Sequence, residues 1–433
     1  MSFLDQVIRR WGIHNRVSGI TTDQDSNTKK GVALYSEQIA PIAWIPCASH
    51  KIQLCINNAL KRQTSAFAIF QKCKDICTVF AGSSTATEIL HSHQRKHFEG
   101  KEWELLTFNK TRWNSWFTMS ARVHKLMPAI ESSLDDLDSG PRDLKEKAKE
   151  LHEAILRDDE VDALGEMLTL LQPAADFTHW AGHAARPTLS QVYGRVYSLL
   201  PALESLTTPQ AKALHRSLDS QIKESWPLTD IPDAILLAIY FNSVCASSDF
   251  LLFTEVNGES LLNRAKLLVS NLIIETMRLR HEESQRTNPD PLINGSVDAV
   301  LKAGYQGTAY LAIRFYTVYC QSKDNMKKFL DCPQDFWLQQ HTTCLQEVVS
   351  IALSYLCIQA TSSDSERAFS RAGLILDKNR ASTADDIFQA VIFAQSFASI
   401  VPQIVRIYSE EEGARLEPRR KMVRLSIADN HPL

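Results

Sequence analysis

The sequence lacks the features that mark a membrane or secreted protein. No stretch approaches the about 20 consecutive apolar residues of a membrane-spanning helix, and no signal peptide opens the chain. The nine cysteines are odd in number, and several lie inside apolar runs, which indicates buried thiols and not a disulfide framework (Cys55, Cys245, Cys320 and Cys357). We therefore expect an intracellular soluble protein with no membrane contact.

The sequence also lacks an excess of positive charge. The 433 residues carry 47 Lys and Arg against 50 Asp and Glu, so any nucleic-acid contact has to come from local basic patches. Apolar residues make up 44% and charged residues 22%, as in ordinary globular domains. No internal repeat of fixed period is evident. At about 150 residues per domain, the length predicts two or three domains.

The stretch from Leu345 to Phe397 is the most informative, and its apolar spacing predicts three short helices. Ser363 to Glu366 fits an S-x-x-E capping box at the start of the second helix. Apolar residues at spacings of three and four mark one face of each helix (Leu345, Val348, Val349, Ala352, Leu353 and Leu356; Phe369, Ala372 and Leu376; Ile387, Phe388, Val391, Ile392 and Phe397).

The N-terminal part alternates strand and helix. Residues 16–23 predict a strand that runs into a polar turn, and a helix follows over 28–39. A second strand at 42–46 and a helix at 47–60 complete the pattern, so we expect two parallel neighbouring strands. From Ser132 to Pro141 the chain is acidic and loop-like. Helical periodicity dominates beyond it, with one interruption from Arg280 to Asp298.

Four short motifs resemble those of the hAT transposases. Residues 363–370 read SDSERAFS, which is similar to the hallmark run of that family's C-terminal dimerisation region. Before it, in the order of the family, come TTDQDSN at 21–27, PCASH at 46–50 and TRWNS at 111–115. Because all four occur in family order, chance agreement is improbable.

This resemblance implies a mainly α protein with a small α/β part, in which a truncated RNase H-like fold is split by a large helical insertion. Residues 1–131 would form the N-terminal part of the RNase H-like domain, with its first strands missing. Residues 132–340 would form the helical insertion. Residues 341–400 would form the dimerisation region that completes the fold, and residues 401–433 a tail.

The resemblance also implies two metal-binding carboxylates. Asp23 matches the second and Glu366 the last acid of a centre that holds two Mg²⁺ ions about 3.5–4 Å apart for DNA cleavage and strand transfer. Simpler roles stay open for both. Asp23 or Asp25 could cap the helix that follows, and Glu366 could serve the capping box.

Further motif positions are expected to contact DNA or to support the centre. Arg112, Trp113 and Arg367 would contact DNA. Trp113 has the alternative of a core aromatic, and Arg367 that of a surface ion pair with Asp364 or Asp377. The structural motif comprises Asn27, Cys47 and His50, with His50 near the carboxylates. A zinc site that adds Cys73 and Cys77 departs from recognised ligand spacings.

Self-association would use the apolar faces of the C-terminal helices. The candidate residues are Leu353, Leu356, Phe369, Phe388, Val391 and Ile392. We expect a homodimer or a higher oligomer, with duplex DNA as a second partner and the nucleus as the location. The basic cluster from Arg415 to Arg424 is either a localisation signal, a contact to the DNA backbone or a solvated tail.

The first carboxylate of the centre has no counterpart. In the family it lies on a strand before the element that Asp23 matches. Asp5 is the only acidic residue there, and its context is helical. We therefore expect a transposase-like protein that is inactive as this polypeptide and binds no cofactor, whereas an active longer form would use Mg²⁺ or Mn²⁺. A helical scaffold without a DNA role is the other alternative.

Overall fold

Two short parallel strands organise the N-terminal part of the chain. In the computed structural model, β1 (Gly19–Thr22) pairs with β2 (Ala43–Pro46) in a register that sets Gly19 opposite Ala43 and Thr22 opposite Pro46. Helix α2 (Ser26–Gln38) connects the strands, and α3 (Ala48–Arg62) follows β2. The predicted succession of strand, helix, strand and helix is confirmed. Helix α1 (Phe3–Arg10) precedes it.

Helices form most of the described chain. The structure describes residues 3–13, 17–39, 41–106, 113–182, 188–246, 248–287, 295–320, 333–340 and 346–375. The helices up to residue 181 are α4 (Thr64–Ala81), α5 (Ser84–His97), α6 (Trp113–Ser132), α7 (Leu134–Asp138), α8 (Arg142–Ala154) and α9 (Asp158–Ala181). Those up to residue 253 are α10 (Val192–Tyr197), α11 (Pro209–Ser225), α12 (Asp233–Phe241), α13 (Ser243–Ala246) and α14 (Asp249–Phe253). The remainder are α15 (Leu261–Thr287), α16 (Gly295–Cys320), α17 (Pro333–Leu338), α18 (Gln346–Leu356) and α19 (Ser363–Ile375). The mainly α prediction is thus confirmed in its coarse form. None of the described helices is long and apolar enough to cross a membrane.

A second small sheet interrupts the helices. Strands β3 (Glu255–Val256) and β4 (Glu259–Ser260) form an antiparallel hairpin. Its turn residues Asn257 and Gly258 have φ angles of 53° and 81°. Positive φ at both central positions is the geometry that an Asn-Gly hairpin turn supplies.

The described residues form a small hydrophobic cluster around Tyr35 and a larger core that extends from Ile45 to Ala360. Helices α3, α4, α6, α9 and α11 pack around its N-terminal part. Its other end is aromatic, because Tyr316 and Trp337 pack there against α12. The hydroxyl of Tyr316 donates to the carbonyl of Tyr240 at 3.0 Å, and Nε1 of Trp337 donates to that of Phe241 at 2.8 Å. These bonds satisfy buried polar groups and fix α16 and α17 to α12.

Two predicted irregular segments contain more helix than expected. The acidic segment 132–141 holds α7, because Leu137 is fully buried and the Ser133 hydroxyl donates to the carbonyl of Ile130 at 2.6 Å. Helix α15 continues past Arg280 to Thr287, so the predicted interruption begins later. Arg278 pairs with both Glu275 and Glu282 on its surface, a spacing that stabilises a helix.

The chain forms two compact units, an N-terminal unit (Met1–Ser362) and a C-terminal unit (Ser363–Leu433). The predicted four-part division, with boundaries at 131, 340 and 400, stays a prediction. Its tail, residues 401–433 with the basic cluster, lies outside the described residues.

Candidate functional site

Asp23 directly follows β1, at the carboxyl edge of the parallel pair. The neighbouring Asp25 is the residue that caps α2, because its carboxylate accepts from the backbone N–H of Asn27 at 3.0 Å and of Thr28 at 3.1 Å. Asp25 is thus the N-cap of α2, and the backbone N–H of Asn27 donates to its carboxylate. Asp23 stays exposed, and its Oδ1 accepts a hydrogen bond from the Ser362 hydroxyl at 3.3 Å.

The segment 357–362 brings Ser362 to Asp23. It connects α18 to α19 and runs beside β1, where the Thr21 hydroxyl donates to the Gln359 carbonyl at 2.6 Å. The Ala360 carbonyl accepts from the N–H of Ala48, the first residue of α3, at 2.8 Å. The segment therefore bonds to both a strand and a helix of the N-terminal part, from which it is far removed in sequence.

The same segment is attached to the end of α9. The Thr361 hydroxyl donates to the Ala181 carbonyl at 3.2 Å, and the Ala360 N–H donates to the Thr188 hydroxyl at 3.3 Å. Both threonines are buried. Since these bonds are shielded from water, they hold the segment in one position.

Cys47 and His50 occupy the start of α3. Cys47 is fully buried, and its Sγ lies 3.4 Å from the N–H of Ser362. His50 is half-buried, and its predicted place beside the carboxylates stays a prediction. Burial raises the pKa of Cys73 and of Cys77 to about 12, which disfavours the thiolates that a zinc ion needs.

The other acidic positions do not complete a metal centre within the described chain. Asp5 lies in α1, is 1% exposed and pairs with Arg9 at 2.9 Å. Among the residues that the structure describes, no three His, Cys, Asp or Glu side chains form a group that could hold a metal. Asp23 lies in the N-terminal unit and Glu366 in the C-terminal unit, so their convergence stays a prediction.

In the C-terminal unit, α19 carries three predicted residues. The helix begins at Ser363, one residue earlier than a capping box with Ser363 as its N-cap requires. Glu366 is exposed. Arg367 pairs with Asp364, as its alternative interpretation predicts. Phe369 is 76% exposed.

The other predicted residues differ in exposure. Trp113 is 3% exposed and packs against Phe117 with ring centroids 6.0 Å apart, an environment that matches its core alternative. Leu356 is buried in the N-terminal unit, and Leu353 packs partly buried against the same core. Roles for all of them in DNA binding or dimerisation stay predictions. Arg112, Phe388, Val391 and Ile392 lie outside the described residues.

A cleft beside the carboxyl edge contains a residue that the motifs do not include. The cleft has a volume of about 450 Å³, and Gln24, Trp44 and Pro46 line its strand side. Lys51, at the end of the first turn of α3, is 8% exposed and also lines it. In the sequence, the position of Lys51 next to the apolar face of α3 is the only indication that this lysine could be buried.

Comparison with known proteins identifies two segments. Residues 316–398 match the hAT family C-terminal dimerisation region, and residues 45–157 match the ZBED1 RNase-like helical domain. The resemblance that the motifs indicate is thereby confirmed. No curated protein matches the chain. The first matched segment begins at Tyr316, so it includes α17 and α18, which belong to the core of the N-terminal unit.

Proposed function

We propose that this chain, which carries a hAT dimerisation region and an RNase-like helical domain, is a transposase-derived protein that self-associates and contacts duplex DNA without cutting it. The observation that carries the proposal is the hydrogen bond between Ser362 and Asp23. It joins Asp23 of the N-terminal motif to Ser362, which is the last residue before the C-terminal motif and is far removed from Asp23 in sequence. That juxtaposition is what a catalytic fold split by a helical insertion requires.

Self-association rests on the matched dimerisation region and on one exposed side chain within it. Phe369 is a large apolar residue on α19 and leaves 76% of its surface exposed. An exposed aromatic residue inside a dimerisation region is a natural anchor for a second copy, because interface energy concentrates on such side chains. Phe388, Val391 and Ile392 extend the proposed surface along the matched region.

Phe369→Asp tests the dimer. We expect light scattering to give at least twice the chain mass of 48.8 kDa for the wild type and a lower mass for the variant, since a charge on an apolar interface is costly. Phe253→Asp is the matched control, because Phe253 is 75% exposed and lies outside the matched region. An unchanged mass for Phe369→Asp, with its helical circular dichroism retained, would contradict the proposed surface.

Binding to duplex DNA follows from the resemblance and from the basic residues of its motifs. Arg112 and Arg367 would contact phosphates, so affinity should fall steeply with salt. Fluorescence anisotropy with a labelled duplex measures this, and Arg112→Ala should reduce the salt slope by about one. Arg142→Ala, an exposed arginine on α8, is the control. If no binding is detected at low ionic strength, the helical scaffold replaces this part of the proposal.

Absence of cleavage is the third part. A two-metal reaction needs three converging carboxylates. Asp23 lies at the carboxyl edge of the strand pair, whereas the carboxylate of Asp25 in the same motif is occupied in capping α2. We infer that the chain holds no resident cofactor, that Mg²⁺ or Mn²⁺ would serve a longer form, and that the protein acts in the nucleus. A nicking assay on supercoiled plasmid with each ion tests this, and ion-dependent nicking that Asp23→Asn abolishes would refute it.

A further inference from the structure

The cleft beside β1 and β2 has two different walls. Its strand side contributes Trp44 and two lysines, Lys29 from α2 and Lys51 from α3. Its helical side contributes Tyr193, Glu224 and Asp230. The volume of about 450 Å³ falls in the range of sites for small organic ligands, about 300–1,000 Å³. Ligands of open parallel sheets commonly bind at this carboxyl edge.

Lys51 is a desolvated charge that makes no contact ion pair with a described carboxylate. Its ammonium lies 4.0 Å from the centroid of the Trp226 ring. The ammonium makes no hydrogen bond or ion pair with any residue that the structure describes. A cation–π contact stabilises a desolvated ammonium only in part, because removing an ammonium from water costs more free energy than the aromatic ring returns. Lys51 therefore presents a poorly solvated ammonium to the cleft, and the attraction of Asp230 opposite does not outweigh the desolvation.

The surroundings of Lys51 add positive potential. It stands at the end of the first turn of α3, where the helix dipole is positive. Lys29 lies over the Trp44 ring at 4.9 Å and adds a second cation on the same wall. Of the two acids, Glu224 is engaged, since it accepts from the Ser220 hydroxyl at 3.0 Å and from the Gln221 amide at 2.8 Å.

We propose that this cleft binds the phosphate group of a ligand the size of a mononucleotide, with Lys51 as the deep contact and Lys29 at the rim. The proposal depends neither on dimerisation nor on duplex binding. A phosphate would give the ammonium a contact ion pair, whereas Asp230 attracts it without a hydrogen bond. Asp230, which is exposed, can accept hydrogen bonds from ligand hydroxyl or amino groups. A nucleotide carries both kinds of group.

The charge of Lys51 gives the site a pH dependence. Burial lowers its pKa to about 8, although Cys55 on the same helix and Asp230 opposite act to raise it. The other charged or titratable groups that face the cleft are Lys29, Tyr193 and Glu224. Since the lysine is protonated below this pKa, affinity should be retained at pH 7 and lost as the pH rises past 8. An ordinary exposed lysine would retain it to about pH 10.

Titration of the full chain tests the site. Adenosine monophosphate, inorganic phosphate and adenosine are added at low ionic strength, and the tryptophan fluorescence, to which Trp44 and Trp226 near Lys51 contribute, is followed. We expect saturable binding of the monophosphate, weaker binding of phosphate and none of adenosine. Lys51→Met should lower the affinity for adenosine monophosphate at least tenfold, because methionine keeps a buried apolar side chain and removes the charge. Lys61→Met, at the exposed end of the same helix, should leave it unchanged.

A second arm identifies the source of the phosphate. A single-stranded oligonucleotide with a 5′-phosphate that competes with the monophosphate would identify a nucleic-acid end as the ligand. Failure to compete would identify a free nucleotide, and either result supports the phosphate site. The phosphate site would be overturned if neither adenosine monophosphate nor inorganic phosphate bound saturably. Equal affinity of the wild type and Lys51→Met for the monophosphate would overturn it as well.

A labelling experiment keeps the test independent of the variant's folding. Pyridoxal 5′-phosphate carries a phosphate and an aldehyde. Its aldehyde carbon condenses with the unprotonated lysine amine, water leaves, and borohydride reduces the imine to a stable amine. At pH 8 we expect mass spectrometry to find Lys51 labelled and adenosine monophosphate to protect it. If Lys51 is unlabelled, or labelled equally with and without the nucleotide, the proposal is wrong.

Discussion

The position of segment 357–362 beside β1 can be tested through Gly19. A Cβ added at Gly19 would lie 3.0 Å from Cδ1 of Ile358 and 3.3 Å from the Ala43 carbonyl oxygen. Alanine adds only this atom, and the Ile358 methyl can move aside. Valine adds two more methyl groups between Ile358 and the backbone of β2. Overpacking of this kind costs about 1–3 kcal/mol, which we expect for Gly19→Val, with less than about 1 kcal/mol for Gly19→Ala.

A double-mutant cycle isolates the contact. Ile358 is 5% exposed, so Ile358→Ala should cost about 2–5 kcal/mol. In the combined variant, the introduced valine side chain would occupy part of the vacated space. We therefore expect the pair to be less destabilised than the sum of the two single changes, by about 0.5–3 kcal/mol. Urea-induced unfolding, followed by tryptophan fluorescence, measures the four stabilities.

The control is Gly31→Ala on α2, where an added Cβ meets no atom within 4 Å. It should stabilise the helix by about 0.5–1 kcal/mol. Strict additivity of Gly19→Val and Ile358→Ala would show that the two residues do not touch. The segment would then run elsewhere, and the contact between Ser362 and Asp23 would lose its support.

Two further predictions concern titratable groups in the helical part. Desolvation acts to raise the pKa of Glu166, but hydrogen bonds from the N–H and hydroxyl groups of Thr207 and Thr208 outweigh it and hold that pKa at about 2. Because the pKa is depressed, the stability it contributes is present above about pH 4.5 and lost as the pH falls toward 2. Glu166→Gln should therefore lower the free energy of unfolding by about 1–2 kcal/mol at pH 7, after allowance for solvent screening. In thermal melts, the difference in stability between the wild type and the variant should become smaller below pH 4. A stability difference that does not change with pH would refute the stabilising role of the ionised Glu166. Cys55, Cys73 and Cys77 are buried, so they should resist a thiol reagent in the native state, whereas the exposed Cys357 should react; peptide mapping after a short pulse checks this, and rapid labelling of Cys73 in folded protein would contradict it.

The order of strands and helices near Asp23 was predictable because the residues that start helices or end strands agree there with the apolar spacing. Asp25 and Ser26 mark the start of α2, and Pro46 ends β2. The sequence could not decide whether Asp23 or Asp25 caps α2, since both precede the helix and both are good caps. Backbone geometry decides, because Asp25 is the residue whose carboxylate meets the first free amides.

Other features depended on contacts that local patterns do not contain. The acidic residues of segment 132–141 suggest a loop, but the burial of Leu137 makes a helical turn favourable. Asn257-Gly258 is a hairpin signal that an interpretation dominated by helical periodicity overlooks. The burial of Lys51 cannot be inferred from α3 alone, because its neighbour Trp226 lies after α11.

Helix α3 links the two parts of the candidate site. Its start is fixed by the Ala360 carbonyl, and Cys47 just before it meets the N–H of Ser362. One turn later the same helix presents Lys51 to the cleft. These contacts are made by backbone groups and a buried thiol, so the helix keeps its position whether or not a carboxylate centre is complete. Lys51 would therefore be held in place even without a complete carboxylate centre, and the proposed ligand site does not require catalysis.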